Sequence, residues 1–345
     1  MRSPKFHHNR SVIETVVTKP ILKRRWKSLG RQLRNQLFLD VVEFKDIDAQ
    51  INEIAENIEQ QIRNGSYQPA KPTHYLVEKS RGLCRQMTQS EPRDLLVLET
   101  LTNSLKHELV ESRPSKRSFF EPDQQRFTRR ERRLGIDEYS SIKPWKDFQQ
   151  AIFAFSKERK FIVVTDVANF YDFISFKHLR NIISSICQVR EPLLDLLIFV
   201  LNEMAWTPDY MPRSEVGLPQ MESNAPRVLA NAMLYELDRV AEEKAFGEYV
   251  RYMDDIDVGV DSISKAKESI RDIDLTLQSR QLRLNSSKTR ILTPAEAFDH
   301  FCIRENQFLD FCSDIIERKG ITGHDTVKRA LGCILINGIP KLGDL

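Results

Sequence analysis

Two adjacent aspartates, Asp254 and Asp255, stand in the segment YVRYMDDIDVGV (Tyr249–Val260), where oxygen ligands for a divalent cation would be expected. Val250 and Tyr252 alternate as inward positions of one strand, and Ile256, Val258 and Val260 share one face of the next. Met253 and Asp254 are therefore expected to make a tight hairpin turn. Carboxylates gathered on a core hairpin repel one another unless a cation or hydrogen bonds offset the charge. An Asp pair also suits an ordinary surface turn, so a second acidic position decides the reading. FIVVTD (Phe161–Asp166) supplies it: a short apolar run, read as a buried strand, that ends in an acid. About 80 residues of mainly helical pattern separate the two strands, enough for crossovers that set them side by side in one sheet.

Magnesium takes carboxylate oxygens, keeps several waters and recruits substrate phosphates to complete its octahedron. Two such ions about 4 Å apart activate an attacking hydroxyl and stabilise the leaving oxygen in displacement at phosphorus. Asp166 and Asp254 are the expected primary ligands, with Asp255 beside them. Asp257 and Asp261 continue the acidic run, and Asp257, further down the strand, is read as solvated or hydrogen-bonded. Asp172 either joins the site or caps a helix starting near Phe176.

With those residues in hand, the chain resembles a reverse transcriptase, an RNA-directed DNA polymerase. TDVANFYDFI (Thr165–Ile174) resembles the family's first palm motif, GLPQ (Gly217–Gln220) the start of the second, YMDD (Tyr252–Asp255) the third and LRLNSSKTRIL (Leu282–Leu292) the fourth, in that order. The resemblance, running from roughly Tyr75 to Leu292, implies catalytic and metal-binding roles for Asp166, Asp254 and Asp255. It places Tyr171 under the sugar of an incoming deoxynucleotide, Gln220 against that nucleotide, and Lys288 as the acid for departing pyrophosphate. Lys79 and Arg85, flanking a Ser80–Gly82 turn, match the basic pair that folds over the triphosphate, and a guanidinium fork suits phosphate oxygens. The implied cofactor is Mg2+, as two ions with Mn2+ as a substitute. The implied partners are deoxynucleoside triphosphates, an RNA template and its DNA product, with a dedicated non-coding RNA and self-association left open. Met221 and Ala225 depart from the family pattern after GLPQ, where added bulk bears on template grip and leaves template-independent DNA synthesis open. An inactive palm kept as a nucleic-acid-binding scaffold is the alternative from another class. These departures, with the basic amino-terminal part, resemble the prokaryotic phage-defence and abortive-infection groups.

By the same resemblance, the elements that must position these residues are expected to form an α+β, right-hand polymerase. Residues 1–70 are expected to be a basic helical extension, with Ile51, Ile54, Ile58 and Ile62 at helical spacing. Residues 71–156 would be fingers, 157–292 a palm with a split βαβ sheet and helices on one face, and 293–345 a short helical, thumb-like segment. Within the palm one long helix is expected from Phe176 to Met204, and a last strand around Leu282–Leu292. Net charge is only +3, from 52 basic and 49 acidic residues. The charge is uneven, however: residues 1–40 carry ten Lys or Arg against two acids, and residues 113–133 eight against three, interleaved with Phe119, Phe120 and Phe127. Basic runs with stacking rings fit a groove for a nucleic-acid backbone. The five cysteines, an odd number without zinc spacing, point to free thiols in a reducing cytoplasm rather than a disulfide framework, and no apolar run reaches membrane-spanning length.

Overall fold

A computed structural model gives the architecture. It describes residues 15–34, 41–42, 44–80, 82–120, 142–207, 210, 215–221, 223–244 and 248–306. The second half of the basic, aromatic cluster at 113–133 and most of the expected thumb-like segment lie outside the described residues, as do Cys312 and Cys333.

Amphipathic spacing builds the amino-terminal pair. Helix α1 (Lys19–Leu33) opens with Pro20 in its first turn, a position that has no helical N–H to lose. It buries Leu22, Trp26, Leu29 and Leu33 on one stripe. Helix α2 (Lys45–Arg63) buries Ile58 and Ile62, with Ile51 and Ile54 half-buried against the core. The Trp26 indole donates to Asp48 at 2.7 Å and locks the two helices together. Both pack beside α3 (Pro92–Glu111).

Between α2 and α3, strands β1 (Thr73–Ser80) and β2 (Leu83–Gln89) form an antiparallel ribbon around the expected turn, with Gly82 at φ +79°. Only glycine holds that left-handed region without strain. The ribbon leaves Leu76 and Leu83 exposed.

The central sheet runs β4–β5–β3–β6, with β3 at Phe161–Asp166, β4 at Glu248–Tyr252, β5 at Asp255–Val260 and β6 at Arg290–Leu292. All neighbours are antiparallel, so β4 runs parallel to β3 with β5 inserted between them, and β6 parallel to β5 with β3 between. That is the split βαβ arrangement, made twice. Helices α6 (Phe176–Ile186), α7 (Glu191–Met204), α8 (Asn224–Met233) and α9 (Tyr235–Glu243) connect β3 to β4, with a four-residue turn, α5 (Phe170–Phe173), directly after β3. Helix α10 (Ile263–Gln278) connects β5 to β6.

Three expectations need correction. The single helix over Phe176–Met204 is two, because Pro192 opens α7 and cannot continue α6. The last strand is only the three residues of β6, since 285–289 turn back on themselves through Lys288 and Thr289 amides donating to the Asn285 carbonyl. Helices cover both sheet faces rather than one. Val163, Ile256, Val258 and Val260 bury into the larger core, facing α10, whereas Ile162, Val250 and Leu292 point the other way into a second cluster with Phe148, Ile152 and Phe155. That second layer is α4 (Ile142–Glu158) together with the short α11 (Pro294–His300), which a Thr293–Glu296 capping box starts. Val250 and Tyr252 thus face away from Ile256 and Val258, although both sets are turned inward.

At Gly259 the end of α4 and the residue after it lie close against the sheet. A Cβ there would lie 2.8 Å from Phe155 Cδ2 and 2.9 Å from Arg159 Cγ. Gly259→Val is expected to destabilise the protein by about 1–3 kcal/mol through overpacking. An unshifted urea midpoint for that variant would contradict this close helix–sheet contact.

Candidate active site

The carboxylates meet because of register. Asp166, last in β3, is the direct cross-strand partner of Asp255, first in β5, and Asp255 is also the partner of Tyr252 across the hairpin. Asp254 lies in the two-residue turn, and its carbonyl accepts from the Val167 amide at 3.3 Å. Met253 takes the left-handed region at φ 54°, a strained choice for a side chain with a Cβ, and buries its own side chain beneath the turn.

Crowding shows in the acids' proton affinities. Burial raises the Asp254 pKa and Asp166 adds to the rise, against the pull of its own backbone hydrogen bond, Lys288 and Lys79. Asp255 reaches solvent, yet surrounding protein and the charges of Asp254 and Asp166 push its pKa up to about 6. Of the two readings of Asp257, solvated or hydrogen-bonded, burial excludes the first: desolvation, with Asp255 nearby, lifts its pKa well above its ordinary value. Asp261 pairs with Arg159 at 2.9 Å, at the far end of the strand.

Lys288 donates to Asp166 Oδ2 at 2.5 Å, and that hydrogen bond raises the lysine's pKa. The other oxygen, Asp166 Oδ1, is buried with no hydrogen-bond partner among the described residues. An orphaned buried carboxylate oxygen beside two further carboxylates suits a hard cation. Among the described residues no group of three or more His, Cys, Asp or Glu side chains is placed to hold a metal ion by itself. An ion here would therefore complete its shell with water and substrate phosphate.

The remaining expected residues gather around these acids. The phenol of Tyr171 packs edge-on to Phe170, at 5.7 Å between centroids. Burial raises its pKa, while the charges of Arg227 and Arg85 pull it down. The charge of Arg85 on β2 is felt at Tyr171, and that of Lys79 on β1 at Asp254. The GLPQ loop is stitched to the end of α5 by amides of Leu218 and Gly217 donating to carbonyls of Tyr171 and Ile174. Gln220 donates from Nε2 to Asp172 at 3.0 Å, and its carbonyl accepts from Thr88 of β2 at 2.7 Å. Asp172 holds the glutamine rather than capping α6. Met221 turns into the core, so its bulk is directed away from the loop's surface.

Two supports had no sequence motif. Glu99, inside the apolar run of α3, accepts from the Ser223 hydroxyl at 2.7 Å and from the amides of Asn224 and Ala225, and so caps α8 from another helix. Arg251 is fully buried on the sheet face opposite Tyr252. It donates from Nε and Nη2 to Asp238 at 2.8 and 2.5 Å, from Nη1 to Asn231 Oδ1 and the Met253 carbonyl at 2.9 and 2.8 Å, and from Nη2 to Ser118 Oγ at 2.5 Å. These satisfy all five guanidinium donors. Burial alone would lower the arginine's pKa, but the Asp238 charge outweighs it. Alternation puts Arg251 on the outward side, between the inward-read Val250 and Tyr252, so no sequence signal marked its burial.

Comparison with known proteins adds the family. The profile described as reverse transcriptase (RNA-dependent DNA polymerase) matches residues 97–327, more than half of the chain. No curated protein matches it significantly. Among solved structures, a telomerase from Candida albicans in complex with a fragment of telomeric RNA is similar at 11% identity and a TM-score of 0.46, over 64% of this chain and 41% of that one. An apo telomerase from Candida tropicalis truncated from its C-terminal domain gives 13% identity and a TM-score of 0.45, over 71% and 55%. The chain spans less than two thirds of the length of either.

Two outcomes follow from the geometry. Arg251→Met leaves Asp238 buried without its counter-charge, with only the Tyr249 hydroxyl among the described side chains still donating to it, and is expected to destabilise the fold by about 3–5 kcal/mol in urea denaturation, with Arg251→Met/Asp238→Leu recovering part of the loss. Asp255, whose pKa is raised on folding, favours the folded state at low pH and loses that contribution as pH rises from 3.8 through about 6. In chelator, Asp255→Asn should therefore melt above the wild type at neutral pH, with the gap closing on acidification. A constant gap in melting scans across that window would contradict the repulsion.

Proposed function

This chain belongs to the reverse transcriptase (RNA-dependent DNA polymerase) family, and from that premise we propose a magnesium-dependent polymerase that joins deoxynucleoside triphosphates to a 3′ hydroxyl, copying RNA into DNA. The observation that carries the reading is the pairing of Asp166 with Asp255, with Asp254 in the adjoining turn. Divalent ions held by Asp166, Asp254 and Asp255 would activate the hydroxyl and neutralise charge on the leaving oxygen. The chain's own groups do the positioning. Lys79 and Arg85 reach down from the β1–β2 ribbon to hold the triphosphate. Lys288, already bonded to Asp166, stands where it can protonate the departing pyrophosphate. The ring of Tyr171 underlies the sugar and leaves no room for a 2′-hydroxyl. Gln220, held by Asp172 and Thr88, presents its side chain to the incoming nucleotide.

Templated synthesis is favoured over untemplated because Met221 is buried in the core instead of filling the space expected for the template. The narrower placement, a prokaryotic enzyme of phage defence, is supported by the departures at Met221 and Ala225 and by the basic amino-terminal residues.

Primer extension on RNA, DNA and no template tests the reading, and product made equally without template would remove copying. Asp254→Ala should lower incorporation roughly a thousandfold, the equivalent of several kcal/mol of charge stabilisation. Tyr171→Val should reduce the preference for dGTP over GTP by about tenfold or more as the pocket opens. An unchanged ratio would take the sugar-sensing role away from Tyr171.

A further inference from the structure

We propose that Trp145, backed by Tyr252, is a stacking platform for the last nucleotide of the strand being extended; the inference rests on the polymerase reading above and assigns a surface for one of its substrates. Tyr252, Asp255 and Asp166 are successive cross-strand partners, so their side chains leave the sheet on one face, in strands about 4.8 Å apart. Trp145 of α4 meets Tyr252 edge-on, with ring centroids 5.1 Å apart and an interplanar angle of 74°. Phe148, further along the same helix, braces both rings from 5.6 and 5.8 Å. Despite these contacts Trp145 remains 39% exposed. A ring needed only to seal the core would be buried, and Phe148 and Phe155 already fill the second cluster.

The two flanks of the carboxylates differ in chemistry. On the β6 side Lys288 bonds Asp166, and Lys79 acts on Asp254 from the ribbon above. These cations suit the triphosphate, whose charge needs them. On the β4 side, the described side chains that touch Tyr252 include the aromatic rings of Trp145 and Phe148. The other substrate must bring a hydroxyl to the same carboxylates while its base and sugar rest on something uncharged. A tryptophan face accepts any base, which is what an end that changes identity at every addition requires. α4 thus serves twice: Phe155 at one end packs on Gly259 to fix the helix to the sheet, and Trp145 at the other is held beside the reacting end.

The test is binding without turnover. Fluorescence anisotropy would compare a labelled single-stranded oligonucleotide bearing a free 3′ end with the same sequence closed into a circle, using the full chain in chelator without nucleotide. The wild type should prefer the linear form. Trp145→Ala should weaken the linear form by about tenfold or more and the circle by less than about twofold, while Trp145→Phe keeps most of the affinity. Equal loss on both forms, no loss, or no preference in the wild type would overturn the platform, and Trp145→Phe separates lost stacking from a misfolded helix. Failure of the polymerase reading shows separately, as absent incorporation by the wild type.

Discussion

The buried Arg251–Asp238 pair is the constraint from which the rest of the site follows. The three carboxylates repel one another, and Met253 sits in a strained backbone region, so the turn that presents them has no local reason to hold its shape. Stability comes from behind the sheet. Arg251 bonds the Met253 carbonyl and Asp238 together, while Asn231 and Ser118 take its remaining donors. Its backbone also exchanges hydrogen bonds with Arg117 and Phe119. One side chain therefore fixes the hairpin against α8, α9 and the segment before residue 121. A buried ion pair adds little net stability over an apolar replacement, but a half-satisfied one is expensive. The geometry is consequently all or nothing, which suits a turn that must not drift.

A sheet covered on both faces divides the labour. The face with Arg251 and Tyr249 packs into the helical layer and sets position. The opposite face carries Asp166, Asp255 and Tyr252 at its open end and is sealed by α4 and α11 lower down. Asp257 marks the boundary: it follows Asp255 on the same face but lies where protein has displaced water, and its proton affinity rises accordingly.

Substrate-facing groups come from separate parts of the chain and are tied together by backbone hydrogen bonds. Thr88 at the end of β2 bonds Gln220, Leu218 bonds Tyr171, and Asn285 bonds Asp166. Glu99 adds a carboxylate cap on α8. Each link joins segments far apart in sequence, so the loop bearing Gln220, the turn bearing Tyr171 and the ribbon bearing Lys79 and Arg85 keep a common frame.

Sequence alone determined the hairpin around Met253–Asp254, the strand ending at Asp166, the β1–β2 ribbon and the order of the four motifs. Period-two alternation, turn chemistry and motif spacing are local properties that survive without the fold. It did not determine which face each strand turned, because a strand buried on both sides reads as inward at every position, as Val250 and Ile256 did. Nor did it show that Lys288 rests on Asp166, that Asp172 holds Gln220, or that Arg251 is buried. Those contacts link residues 122, 48 and 13 positions apart, and only packing selects one partner among many of the same chemical type. Local pattern thus specified where the acids lie in the chain, whereas long-range burial decided what surrounds them, since the free energy of a buried charge depends on every neighbour that has replaced water.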